Sequence, residues 1–157
     1  MFRVGLISDT HGLLRPPVLE FLRGSGHIIH AGDICSPEIV AVLSVLAPVT
    51  AVRGNNDIGA WATELCEAAF VELEGVRIHV IHDVSDLGMG SVAAGVQVVV
   101  SGHSHRPQVR ERDGVLYVNP GSAGPRRFRL PISAGELLIE DGVVTPHLHE
   151  FPAVKAR

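Results

Sequence analysis

Five short stretches of this chain carry side chains able to hold metal ions: Asp9-Thr10-His11, Gly32-Asp33, Gly54-Asn55, His82 and Gly102-His103-Ser104-His105. Together they offer two carboxylates, one carboxamide and four imidazoles. Such a mixed nitrogen and oxygen set suits borderline divalent ions, for which imidazole is the commonest protein ligand. Each stretch alone is weak. An Asp after Gly serves many turns, Gly-Asn serves hairpins and caps, and His-x-His closes ordinary strands. Their shared position carries the reading, because each follows an apolar run of strand character. Open α/β sheets place their sites just beyond the carboxyl ends of strands. The seven residues therefore predict a metal centre at one sheet edge.

The elements that must deliver them follow from the apolar pattern. Residues 3–8, 27–31 and 49–53 read as buried strands. Two helices connect them: one begins at Pro16-Pro17 and ends before Gly24, the other begins at Pro37 behind Ser36 and stops before Pro48. Residues 70–73 and 76–81 flank Glu74-Gly75 as a hairpin, and 84–95 read as a short helix. Val98-Val99-Val100 fills a buried strand, and Gly102 turns the chain where it ends. In extended backbone His103 and His105 would then point to one side. Two more hairpins pair 108–112 with 115–118 across Asp113-Gly114, and 136–140 with 143–149 across Asp141-Gly142. The prediction is α/β: two packed mixed β-sheets flanked by helices in a four-layer α/β/β/α sandwich, one domain over residues 1–157.

Composition narrows the function. Hydrophobic residues form 46% of the chain and charged ones only 19%, which suits a packed core and not a disordered chain. A net charge of −4 argues against a broad nucleic-acid surface. No apolar run reaches membrane-spanning length, and the opening residues meet charge too soon for a signal peptide. Cys35 and Cys66 do not suggest a disulfide framework. A soluble, cytoplasmic protein without membrane partners is expected, with homo-oligomerisation left open.

The ordered motifs resemble the calcineurin-like metallophosphoesterase superfamily, in its small YfcE-like branch. The resemblance rests on Asp9-Thr10-His11, Gly32-Asp33, Gly54-Asn55-Asn56-Asp57, His82, Gly102-His103-Ser104-His105 and the late Asn119-Pro120-Gly121-Ser122 loop. It implies a two-sheet sandwich with a dinuclear site that hydrolyses a small phosphoester, most simply a phosphodiester, by a hydroxide shared between the metals. Asp9, His11, Asp33 and His105 would hold one ion. Asp33, as the bridge, with Asn55, His82 and His103 would hold the other. Asp33, Asn55 and His82 are expected to serve catalysis as well as metal binding. Two divalent ions with two carboxylates and one hydroxide leave a positive centre that attracts phosphate. Metals about 3.5–4 Å apart can clamp phosphoryl oxygens during in-line displacement. Manganese is the first expectation, with Fe, Zn, Co or Ni compatible.

Two departures from the family pattern stand out. Asn56 occupies the position where many members carry a histidine that protonates the leaving group, and Asp57 follows it. Asp83 follows His82 where this branch often has glycine, as a partner of His82, an ion ligand or a turn residue. Asn56 and the loop arginines Arg126, Arg127 and Arg129 are expected at the substrate, since guanidinium matches phosphate geometry. His27, His30, His79, His147 and His149 read as structural, and Trp61 as a packing or interface residue. A phosphomonoesterase or nucleotidase, or a non-catalytic scaffold of the same fold, are the competing readings.

Overall fold

Strand-forming apolar residues alternate sides, so a strand with two buried faces must be covered twice. The computed structural model, which describes residues 1–87, 95–127 and 129–152, solves this with two facing sheets and a helical cover. The first sheet has the order β10-β9-β1-β2-β3, built from β1 (Phe2–Ile7), β2 (His27–His30), β3 (Val49–Ala51), β9 (Ile132–Glu140) and β10 (Val143–Phe151). The second has the order β4-β5-β6-β8-β7, built from β4 (Ala68–Leu73), β5 (Val76–Ile81), β6 (Val98–Val100), β7 (Gln108–Arg112) and β8 (Val115–Asn119). Strands β1, β2 and β3 run parallel, as do β5, β6 and β8. Both parallel sets end at the edge where the candidate ligands lie.

The alternation is direct. Val4 and Leu6 of β1 join Ile29, Ile78, Val80, Val98, Val100 and Val118 in the core between the sheets. Ile7 and Ile28 face the other way, against Val18 and Leu22 of α1 (Pro16–Leu22) and Ile39 and Leu43 of α2 (Pro37–Leu46). Fully burying one such side chain contributes about 1.5–3 kcal/mol, which makes these two layers the principal support of the edge. Both helices begin on proline, and Ser36 takes the N-cap backbone position, although its hydroxyl donates to Glu38 and caps no backbone amide.

The sheets and their hairpins lie where the sequence pattern puts them. Glu74-Gly75, Asp113-Gly114 and Asp141-Gly142 each have two successive positive-φ residues, the geometry that matches strand twist in a two-residue turn. Differences concern lengths. β9 and β10 run to nine residues each because β9 pairs with β1 on one side and with β10 on the other. Pro146 is tolerated inside β10 because that strand is an edge. Trp61 lies in an unforeseen 3₁₀ turn, Ala60–Glu64, and packs on the helical side of the first sheet. The helix expected over 84–95 is represented by a 3₁₀ turn, Val84–Leu87, and residues 88–94 lie outside the described part. None of the residues in that turn is buried. No described helix is long and apolar enough to cross a membrane.

Candidate metal centre

Asp9 leaves β1 fully buried, with its carboxylate aimed across the gap between the sheets. Its Oδ2 accepts hydrogen bonds from Ser8 Oγ (2.7 Å) and from the His103 amide (3.0 Å). Its Oδ1 has no hydrogen-bond partner among the described residues, although a buried polar atom normally has one. Around that oxygen stand three imidazole nitrogens: His105 Nε2 at 3.4 Å, His11 Nε2 at 3.8 Å and His82 Nε2 at 3.9 Å. Asp33 Oδ2 lies 3.3 Å from His82 Nε2 and 3.7 Å from His11 Nε2. Two ligand groups result, Asp9 with His11 and His105, and Asp9 with Asp33 and His82. An unpartnered carboxylate oxygen facing converging imidazoles is the donor set a divalent cation requires, so the residues fit the expected metal.

The surrounding bonds orient His82 and Asp33, whereas His105 Nδ1 has no hydrogen-bond partner among the described residues. His82 Nδ1 donates to the Ala31 carbonyl at 2.7 Å, which turns Nε2 toward Asp33 and toward Asn55 Oδ1 at 3.1 Å. Burial is the largest influence on the His82 pKa and lowers it, but the Asp33 hydrogen bond, the Ala31 carbonyl and both carboxylates together raise it. Burial likewise dominates at Asp33 and pushes upward, yet His82 and the Asn56 amide hold that carboxyl well below the usual range. Burial lowers the His11 pKa, favouring the neutral form that binds metal.

Tight loops make these approaches possible. Asp9, His11, Asp33, Cys35, His103 and His105 all adopt φ between 46° and 70°. The remaining positive-φ residues that are not glycine are the three hairpin residues Glu74, Asp113 and Asp141, so backbone strain concentrates at this edge among the described residues. Gly54 and Gly102 supply close approach. A Cβ on Gly54 would overlap Asp33, and one on Gly102 would overlap Ser8 Oγ and Asp9 Oδ2. Gly102 thus makes room for a carboxylate, where a turn was expected.

His103 and His105 do not share a direction. Both have left-handed backbone in place of the expected extended one, so their rings separate. His105 is 4% exposed and enters the cluster. The His103 side chain is 46% exposed, with Nε2 3.6 Å from Asp83 Oδ2 and its ring edge-to-face with His82. His103 is therefore at the rim, outside both ligand groups. Asp83 takes the turn role, its Oδ1 accepting from the amide and hydroxyl of Ser85, and it partners His103 in place of His82.

Asn56 points inward. Its amide donates to Asp33 Oδ1 at 2.8 Å and its Nδ2 to Asp33 Oδ2 at 3.0 Å. Asp57 is also engaged, accepting from the backbone N–H groups of Asp33, Gly54 and Cys35. Of the arginines, Arg127 is near enough for its charge to act on His11 and Cys35. Arg126 donates to Leu130 O within its own loop, and Arg129 is exposed.

Several supporting residues carry no local sequence signal. Fully buried His30 accepts from Gly32 N at Nδ1, so its Nε2–H faces Thr10 Oγ1, which donates in turn to Ile34 O. Ser122 Oγ donates to Asp9 O, and Asn119 Nδ2 donates to Gly102 O and Ser104 Oγ. The loop 119–122 therefore braces both ligand-bearing exits. His27, His79, His147 and His149 are engaged away from the centre, with Thr50, Phe70, Glu136 and Phe21 respectively.

Known proteins are similar to this chain in sequence and in fold. The chain is 35% identical over 140 residues to a probable metallophosphoesterase of Methanothermobacter thermautotrophicus, covering 82% of this chain and 81% of the relative. It is 29% identical over 138 residues to a phosphodiesterase of Methanocaldococcus jannaschii, covering 76% and 82% respectively. Yfce, a phosphoesterase from E. coli, superposes with a TM-score of 0.69 at 26% identity, covering 93% of this chain and 98% of that one. The family model described as the calcineurin-like phosphoesterase superfamily domain matches residues 2–142, the span that carries every candidate ligand. With the family model matched over most of its length and a relative at 35% identity, the chain belongs to the calcineurin-like phosphoesterase superfamily.

Proposed function

We propose that this protein hydrolyses phosphodiesters at a centre of two divalent ions, with Asp9, His11, Asp33 and His105 serving one ion and Asp33, Asn55 and His82 the other, while His103, expected as a further ligand of the second ion, stands at the rim beside Asp83. The buried, unpartnered Asp9 Oδ1 among three imidazole nitrogens carries the reading. The bound ions supply Lewis acidity and a water of lowered pKa. The chain's own residues do the rest. Neutral imidazoles and an amide leave the centre net positive toward phosphate. The Ala31 carbonyl and the Asn56 amide hold His82 and Asp33 in place before substrate arrives. Arg127 meets the phosphoryl group at the rim. Asn56 gives no proton to a departing oxygen, since a carboxamide is not a general acid and its N–H faces Asp33. Diesters with good leaving groups are therefore the favoured substrates.

The test is an assay of the demetallated protein reconstituted with Mn, Co, Ni, Zn or Fe against diesters, monoesters and nucleotides. The expected result is metal-dependent hydrolysis of bis(p-nitrophenyl) phosphate, faster than of p-nitrophenyl phosphate. Faster monoester hydrolysis, or full diesterase activity after verified metal removal, contradicts it.

A further inference from the structure

A groove of about 570 Å³ runs along the outer face of the second sheet, beginning at His103 and Asp83 beside the metal centre. Its volume lies in the range of small-ligand sites, about 300–1,000 Å³. Gln108, Arg110, Tyr117 and Asn119 form its floor, and Val84 lies in one wall. Strand register explains the floor. Arg110 stands directly opposite Tyr117, and Gln108 opposite Asn119, so all four share one face. Leu116 and Val118 face the other way, into the core between the sheets. The neighbouring Arg112 lies near Asp113 (3.8 Å), whereas Arg110 has no ion pair among the described residues.

A phenol and an unpaired guanidinium side by side make a platform for a flat π system, through stacking and cation–π attraction. A second phosphate would call for several converging cations, whereas Arg112, the other arginine of the lining, lies beside Asp113, and a second carboxylate, Asp83, stands at the mouth. Gln108 adds a donor and an acceptor at the platform edge. We propose that this groove seats one ester substituent of the substrate, a nucleoside-like group whose heteroaromatic ring rests on Tyr117 and Arg110. The inference rests on the phosphodiesterase reading and names its substrate class: diesters with a nucleoside on one side of phosphorus.

Calorimetric titration of the metal-reconstituted full chain with thymidine 5′-(methyl phosphate) and with dimethyl phosphate tests it. The nucleoside diester binds more tightly, and Tyr117→Ala weakens it by about 5- to 150-fold, the range for losing one base–aromatic stack. Tyr117→Phe retains the affinity, and Arg110→Ala weakens it. Metal analysis of each variant confirms an intact centre. Equal affinity for the two diesters, or nucleoside affinity indifferent to both alanine variants, overturns the inference. Hydrolysis of bis(p-nitrophenyl) phosphate by the same samples reports on the activity separately. Selective nucleoside binding without that hydrolysis supports the groove and removes the phosphodiesterase reading.

Discussion

Asn56 and Asp33 set the chemistry at the scale of single residues. Two N–H groups from Asn56 reach the two oxygens of Asp33, which leaves the leaving group without a proton donor from this position. Hydrolysis is expected to slow steeply as the leaving-group pKa rises, read as a Brønsted plot over a series of aryl diesters. A general acid typically contributes about 10²–10⁴-fold, so a flat plot with chemistry rate-limiting would reveal an unrecognised donor. Asn56→Ala should also weaken metal binding, because Asp33 loses its clamp. Removing an outer-shell partner typically costs about 10–100-fold in metal affinity, measurable by competition with a chelator. Arg127→Ala should lower kcat/KM by roughly 10- to 150-fold, equivalent to about 1.5–3 kcal/mol for a charged hydrogen bond, with metal content unchanged. The ligand residues were legible because Asp and His at strand ends have few other reasons to recur. Asn56 was legible only as a departure, since its inward turn depends on Asp33, which follows a different strand.

Among elements, the strand-exit loops do the positioning, and their supports come from distant segments. Ser122 braces Asp9 from the far part of the chain, and Asp57 gathers the amides of Asp33, Gly54 and Cys35. No periodicity announces such contacts, because each is formed only when the sheets have assembled. The strands and hairpins were legible because alternation and Gly-containing turns are local. His103 shows the limit of that logic: extended geometry was a sound default, and left-handed backbone at both histidines sent it to the rim. His30 gives this scale its prediction. Burial, its largest influence, pushes its pKa down to about 4 from an ordinary 6.5. As pH falls the unfolded chain takes up that proton first, so this contribution to stability is complete above about 6.5. It declines toward pH 4 by up to about 3 kcal/mol. Denaturant unfolding across this window should show a shallower decline for His30→Gln than for the unaltered chain. Identical slopes would mean that His30 is not buried neutral.

At the scale of the whole molecule, the centre joins the two sheets. Asp9 and Asp33 come from the first sheet, and His82 and His105 from the second. A cation bound between them is linked to folding by mass action, about 2.7 kcal/mol when its free concentration is 100-fold above Kd. Chelation should therefore lower the thermal midpoint, and restoring the metal should raise it again. The most direct test of the metal centre is an anomalous-scattering map from crystals of the manganese-loaded protein. The expected map shows two peaks between the sheets, one in coordination reach of Asp9, His11 and His105, the other of Asp33 and His82, with Asp33 touching both. A fully loaded crystal with no peak at this edge, or with Asp33 contacting neither ion, would contradict the account.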